Sequence, residues 1–305
     1  MSTTPYPLRL LQGVREKLSP ICLGLDPRPD LMPEECWPGS RRDAGAAAEA
    51  AENFGLRLLE ALAPHAAAVK VQIAFYEALG IRGLEAYQRT LKEARRRGLI
   101  AIADVKRGDI ASTAEAYAAA HLAPGAPFEA DAVTLSPWLG HDSLEPFLGH
   151  CQKAGKGVYL LLHTSNPGSK DVQELPLADG TPLYRRLAVL MAGWQRDLGG
   201  EGMSPLGAVV GATYPTELAD GLALLPRAPF LVPGYGAQGA GGREVACLYA
   251  RGPAPHLVNA SRSLIYSQRE NGQSFEDGAI AAALAMKAEI GRFAPALAPP
   301  PSRAP

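Results

Sequence analysis

The sequence predicts an α/β fold, a (β/α)8 TIM barrel, on three observations. Eight short apolar runs recur along the 305 residues with helix-forming stretches between them. None of the runs shows the alternating polar face of an antiparallel strand, so each reads as a strand buried on both sides. Polar residues gather just after the runs, where the βα loops of a parallel barrel converge. The runs are Ile21–Leu25, Ala67–Val71, Leu99–Ala103, Ala132–Leu135, Val158–Leu162, Ala208–Val210, Phe230–Val232 and His256–Val258. Eight is the number that closes a parallel barrel. An open doubly wound sheet uses the same alternation of strand and helix. The positions of Asp26, Lys70, Asp104, Ser136, Gly211, Gly234 and Asn259 at strand ends favour the barrel.

The stretches between the strands support the helical half of the pattern. In 44–62 the residues Ala47, Ala51, Phe54, Leu58 and Leu62 recur at spacings of three and four, the period of a helix with one apolar face. Gly83–Arg97 is similar and ends in a basic run before Gly98, a helix stop. Ser112-Thr-Ala-Glu115 has the form of a capping box, which starts the next helix near Ser112. Thr164–Pro205 is too long for a simple connection, and Tyr184–Leu198 within it reads as the crossover helix. The expected organisation is one barrel domain over 1–294, followed by a proline-rich, disordered tail over 295–305.

Composition narrows the function. Lys+Arg 30 against Asp+Glu 31 leaves a net charge of −1, which argues against general binding to nucleic acid or to a membrane surface. The apolar stretches Gly157–His163 and Leu206–Ala212 are far shorter than the roughly 20 residues of a spanning helix. With no basic-then-apolar leader pattern at the start, a soluble cytoplasmic protein is expected. Cys22, Cys36, Cys151 and Cys247 include no C-x-x-C pair and read as free thiols.

The stretch richest in chemistry is Ile100-Ala-Ile-Ala-Asp104-Val-Lys106-Arg-Gly-Asp109-Ile110. Residues i and i+2 of a strand face the same way, so Asp104 and Lys106 should both point into the barrel mouth. Gly108 then allows a turn that carries Asp109 into the loop before a helix. A loop ion pair is the plain alternative, but a solvated pair contributes only about 0–1 kcal/mol, little reason to crowd charges there. Lys70 also ends an apolar strand and needs an acidic partner if buried, either Asp104 or Asp109. Phosphate binding is expected after strands seven and eight, where barrels commonly hold it on backbone N–H groups. Pro233–Gly242 there contains five glycines, and Arg262 offers a guanidinium fork.

These residues resemble the orotidine 5′-phosphate decarboxylase family, whose hallmark D-x-K-x-x-D-I reads here Asp104-Val-Lys106-Arg-Gly-Asp109-Ile110. The resemblance continues through Gly24-Leu-Asp26-Pro-Arg28, Val69-Lys70-Val-Gln-Ile-Ala-Phe-Tyr-Glu77, Thr134-Leu-Ser136-Pro-Trp138, Thr164-Ser-Asn-Pro-Gly-Ser169, Pro233-Gly-Tyr-Gly-Ala-Gln-Gly239 and Asn259-Ala-Ser-Arg262-Ser263. It spans roughly residues 20–290 and looks like the longer bacterial branch, type 2.

The resemblance implies a homodimeric barrel that converts orotidine 5′-monophosphate to uridine 5′-monophosphate and CO₂ without metal or organic cofactor. It implies Lys106 as the general acid, Asp104 beside the departing carboxylate, and Lys70 holding Asp104. Asp109 completes a Lys-Asp-Lys-Asp array and is expected to reach the neighbouring subunit's site. Asp26 is implied for the ribose, Ser136 for the pyrimidine, and Gln238 as a bridge from phosphate to base. Thr213, Gly234, Tyr235, Gly239 and Arg262 are expected around the phosphate. No role follows for Arg107, His163 or Asn166. Related sugar-phosphate decarboxylases and synthases share D-x-K-x-x-D but bind Mg²⁺ through an acidic residue where this chain has Lys70. A catalytically silent nucleotide-binding barrel is the alternative of a different class.

Overall fold

Eight parallel strands close on themselves in chain order. They are β1 Ile21–Leu25, β2 Ala68–Gln72, β3 Ile100–Arg107, β4 Ala132–Leu135, β5 Gly157–His163, β6 Leu206–Val210, β7 Phe230–Pro233 and β8 Leu257–Ala260. The computed structural model describes residues 4–39, 44–200, 202–250, 252–267, 272–294 and 297. Each expected strand is present, with ends shifted by up to two residues except at β3. That strand runs four residues past Ala103, carrying Asp104 and Lys106 within it. Its pairing with β4 slips between Ala103 and Arg107, so the extension is irregular rather than a continued ladder.

Helices cover the outside. Ala44–Leu62 has the expected bounds, and Gly80–Arg96 and Leu183–Asp197 lie within a few residues of theirs. Ala51, Phe54, Leu58 and Leu62 are all buried, as the helical spacing requires. The helix after β3 starts near Ser112, as expected, but without the capping box. It spans Ala111–Leu122, begins after Ile110 with no side-chain cap, and places Ser112 inside its first turn and Glu115 just beyond it. The chain enters this helix through Ala111 at φ 48°, which fixes the start one residue before the Ser-x-x-Glu signature. A working capping box occurs instead at Phe275–Phe293, where Ser274 Oγ accepts the Asp277 N–H at 3.1 Å.

A helix outside the βα alternation, Tyr6–Lys17, closes the amino-terminal end of the barrel. Tyr6 is fully buried and its hydroxyl lies 2.9 Å from that of Tyr159 on β5. Arg9 donates to Asp131 Oδ1 at 2.6 Å and to the Gly155 carbonyl at 2.9 Å. Asp131 Oδ2 in turn accepts the Ala101 N–H at 2.9 Å, tying this plug to β3.

The cysteines are free thiols, Cys22, Cys36 and Cys151 buried and Cys247 exposed. Among the described residues no helix is long and apolar enough to cross a membrane. The tail expected over 295–305 lies outside the described residues except Leu297, whose side chain is buried.

The plug makes a stability prediction. A Cβ on Gly157 would come within 2.4 Å of the Tyr6 ring. Gly157→Ala should therefore cost about 1–3 kcal/mol through overpacking, read as a lower urea midpoint with an unchanged slope. A wild-type midpoint would show that the plug yields freely.

Candidate active site

Asp104 is the centre of the barrel mouth. It is 4% exposed, and its carboxylate accepts four hydrogen bonds. Oδ1 takes the Lys106 ammonium at 2.6 Å and the Thr134 hydroxyl at 2.8 Å. Oδ2 takes the Lys70 ammonium at 2.6 Å and the Gln72 amide at 3.1 Å. The β2–β3 register sets Gln72 opposite Asp104, which explains how β2 supplies two donors from positions i and i+2. Lys106 reaches Asp104 by a route that strand alternation does not describe. Its backbone is left-handed, φ 44°, at the point where β3 slips against β4.

Burial and charge oppose one another at this cluster, and charge wins. Burial alone would raise the Asp104 carboxyl, but Lys70 and Lys106 hold it well below the usual carboxylate range. Burial would likewise lower the Lys70 ammonium, yet Asp104 and Asp26 lift it above the ordinary lysine value. Asp104 and Lys70 are both locked in their charged forms. Lys106 is the more open member, with a side chain 45% exposed against 9% for Lys70.

A cavity of about 570 Å³ opens over the cluster. One wall is polar, formed by Asp26, Lys70, Gln72, Asp104, Lys106, Thr134 and Asn259 from β1 to β4 and β8. The opposite wall is apolar, formed by Leu161, Val209 and Leu231 on β5 to β7. Asp26 Oδ1 and Asn259 Oδ1 are buried with no hydrogen-bond partner among the described residues, so both have acceptor capacity at the wall. Gly234, Tyr235, Gln238 and Arg262 line the far end. Gly234 sits at φ 108°, and a Cβ there would approach Gln238 Oε1 to 2.7 Å, so glycine is required for this turn. The loop is anchored from outside the barrel. Glu289 on the last helix accepts the Tyr235 hydroxyl and, at 2.7 Å, the Gly242 N–H.

Several expected site residues lie elsewhere. Ser136 is off the cavity wall: it follows the end of β4, donates its N–H to the Arg107 carbonyl at 2.9 Å, and packs beneath Gly108. That bond ties it to the extension of β3, and among the serines that do line the cavity Ser165 follows β5. Thr213 and Gly239 are also outside the lining, Gly239 because it turns the loop at φ 92°. Asp109 does not join the cluster within its own chain. Its carboxylate accepts the neighbouring Ile110 N–H at 2.8 Å.

The residues left without a role find places. Asn166 lines the cavity and accepts the Thr164 hydroxyl at 2.7 Å. Arg107 donates to Glu77 at 2.8 Å and lies over the Tyr117 ring. His163 is fully buried, 3.2 Å from Glu174 and edge-on to Tyr184 and Tyr214, away from the cavity. Gln72, Thr134, Ser165 and Asn259 are among the wall residues that sequence reasoning did not assign. The i, i+2 rule applied to Asp104 and Lys106 would have placed Gln72 beside Lys70.

The chain's likenesses agree with this geometry. The sequence profile of the orotidine 5′-phosphate decarboxylase / HUMPS family matches residues 19–274. An orotidine 5′-phosphate decarboxylase of Clostridium acetobutylicum is 41% identical over 286 residues, covering 92% of this chain and 97% of that protein. One from Rhodopirellula baltica is 39% identical over 259 residues, covering 82% and 85%. The solved structure of Leishmania donovani OMP decarboxylase superposes with a TM-score of 0.73 at 32% identity, covering 96% of this chain and 98% of that one. With a profile match across most of its length and relatives this similar end to end, the chain belongs to the orotidine 5′-phosphate decarboxylase / HUMPS family.

Proposed function

We propose that the chain decarboxylates orotidine 5′-monophosphate to uridine 5′-monophosphate in pyrimidine biosynthesis, with no metal or organic cofactor. The observation that carries this reading is the Lys70–Asp104–Lys106 cluster at the floor of a cavity with one charged and one apolar wall. Loss of CO₂ from C6 of the pyrimidine leaves an electron pair in the ring plane, where the π-system cannot delocalise it. A fixed ammonium beside C6 stabilises that charge and then donates a proton to it, giving C6–H and a neutral Lys106 amine that takes its proton back from water. Lys106 suits the role because it is held by Asp104 yet remains partly open to the cavity.

Asp104 stays ionised against a substrate carboxylate. At about 4 Å and an effective dielectric of 20 the two anions repel by about 4 kcal/mol. Departure of CO₂ relieves that repulsion, while Lys106 supplies the larger stabilisation in the transition state. Asp26 and Asn259 are suited to the ribose hydroxyls, and Ser165 to the pyrimidine edge in place of Ser136. Arg262 and the Gly234–Gln238 loop are suited to the phosphate. We place Asp109 at the site of a second copy in a homodimer, since its own chain gives it no contact with the cluster, and the protein in the cytoplasm.

Two outcomes test the reading. Purified protein with orotidine 5′-monophosphate should show loss of the orotate absorbance at a rate unchanged by EDTA, and Lys106→Ala should abolish it. Near-normal turnover by Lys106→Ala, in a sample free of host enzyme, would sink the proposed chemistry; inhibition by EDTA would return the Mg²⁺-dependent relatives to consideration.

The charge cluster also sets a pH dependence of stability. Asp104 is depressed, so its contribution is present above the unfolded carboxyl value of about 3.9 and is lost as pH falls through the folded value. Lys70 is raised, so its contribution is present below the unfolded value of about 10.4 and is lost as pH rises through the folded one. Both are in place between about pH 5 and 9. Lys70→Met should cost about 3 kcal/mol at pH 7, because it strips a buried carboxylate of one cation. The deficit should shrink as the pH is lowered from 5 toward 2 in paired denaturant titrations. A deficit independent of pH would assign the loss to packing instead.

A further inference from the structure

The Thr134 hydroxyl lies at the carboxyl end of β4, 1% exposed, and makes three hydrogen bonds to β3. It donates to Asp104 Oδ1 at 2.8 Å and accepts the backbone N–H groups of Val105 and Lys106, each at 3.1 Å. A hydroxyl has one proton and two accepting directions. With both accepting directions taken by N–H groups, its proton is committed to the carboxylate. Those same N–H groups belong to the stretch where the β3–β4 ladder slips, between the paired positions Ala103 and Arg107. Lys106 there is left-handed, φ 44°, a conformation that residues with a Cβ avoid unless their surroundings impose it. Oδ1 of Asp104 thus receives the Thr134 hydroxyl and the Lys106 ammonium together, while Thr134 also holds the Lys106 backbone.

We propose that Thr134 is a positioning residue for the decarboxylation: its hydroxyl fixes the left-handed turn at Lys106 and orients Asp104 Oδ1, so that the ammonium is delivered to one place in the cavity. The proposal rests on the reading of Lys106 as the proton donor. Thr134 acts through Lys106 and Asp104. Its loss should therefore disturb proton delivery in the transition state and leave ground-state binding of the nucleotide, assigned to Asp26, Asn259, the opposite wall and the phosphate loop, nearly untouched.

The test compares Thr134→Val, which keeps the branched shape but removes the hydroxyl, with Thr134→Ser, which keeps the hydroxyl but removes the methyl. Both are made in the full chain and checked for folding by circular dichroism and for uridine 5′-monophosphate affinity by calorimetry. Thr134→Val should lower kcat roughly 10- to 100-fold, the effect of losing a hydrogen bond to a charged group. KM and product affinity should stay within about threefold, and Thr134→Ser should keep kcat within about threefold of wild type. Wild-type kcat in Thr134→Val, an equal fall in Thr134→Ser, or a KM that rises as kcat falls would each overturn the proposal. If Thr134→Val does not fold, Thr134→Ala removes the same hydroxyl and carries the same expectation. Failure of the underlying reading looks different: the wild type is inactive, or Lys106→Ala turns over normally. An active wild type, a dead Lys106→Ala and a full-speed Thr134→Val would remove only the role of Thr134.

Discussion

A carboxylate buried at the rim of a closed barrel stays ionised only when donors fill its lone-pair directions, and the mouth of this barrel is arranged around that demand at Asp104. Two ammonium groups, an amide and a hydroxyl come to it from three strands, β2, β3 and β4. Because they come from different strands, their convergence depends on barrel closure and on the β2–β3 register, not on local sequence. The amino-terminal plug is remote from the site but bonded to β3 through Asp131, so it supports the same strand from its other end.

The rest of the rim divides by strand. Carboxyl ends of β1 to β4 and β8 present polar groups, while β5 to β7 contribute Leu161, Val209 and Leu231, with the polar Thr164, Ser165 and Asn166 just after β5. On the proposed function, the reacting edge of a planar heterocycle lies on the charged side and a face on the apolar one. An apolar wall also limits the water that would compete for the ammonium and lowers the local dielectric, which strengthens each charge interaction inside. At the far end the glycine-rich loop is tied to the last helix through Tyr235 and Glu289, so backbone donors are held ready by a contact outside the cavity.

Much of this was legible from the residues alone. The eight apolar runs and the polar residues after them gave the barrel, and the need of a buried lysine for an acid pointed to Asp104 or Asp109, of which the structure pairs Asp104 with Lys70. The failures are informative because they share a cause. Ser136 was implied for the pyrimidine by the resemblance, but it bonds to the irregular end of β3 off the cavity lining, whereas Ser165 lines the cavity. The capping signature at Ser112 lost to the same segment, which enters its helix through Ala111. Thr134 was quoted within a motif yet given no role, because its partners are two backbone N–H groups at a register slip that no local pattern encodes. Periodicity describes regular strands and helices, and it stops being informative where β3 stops being regular.

That irregularity is itself specific. Among the described residues only Leu18, Lys106 and Ala111 have positive φ without being glycine, and Leu18 merely ends a helix. The other two bracket 107–110, the stretch that carries Asp109 away from its own cluster. Local backbone preference thus gives way twice within six residues, on both sides of the segment that carries Asp109. Strain of this kind persists only where surrounding contacts over-determine it, and at Lys106 those contacts are visible: the Thr134 hydroxyl on its N–H and Asp104 on its ammonium. An extended strand would have kept Lys106 in the regular alternation, with its ammonium placed by a long flexible stem. The left-handed turn instead fixes the stem at its root, so a side chain nearly half exposed still meets Asp104 at 2.6 Å.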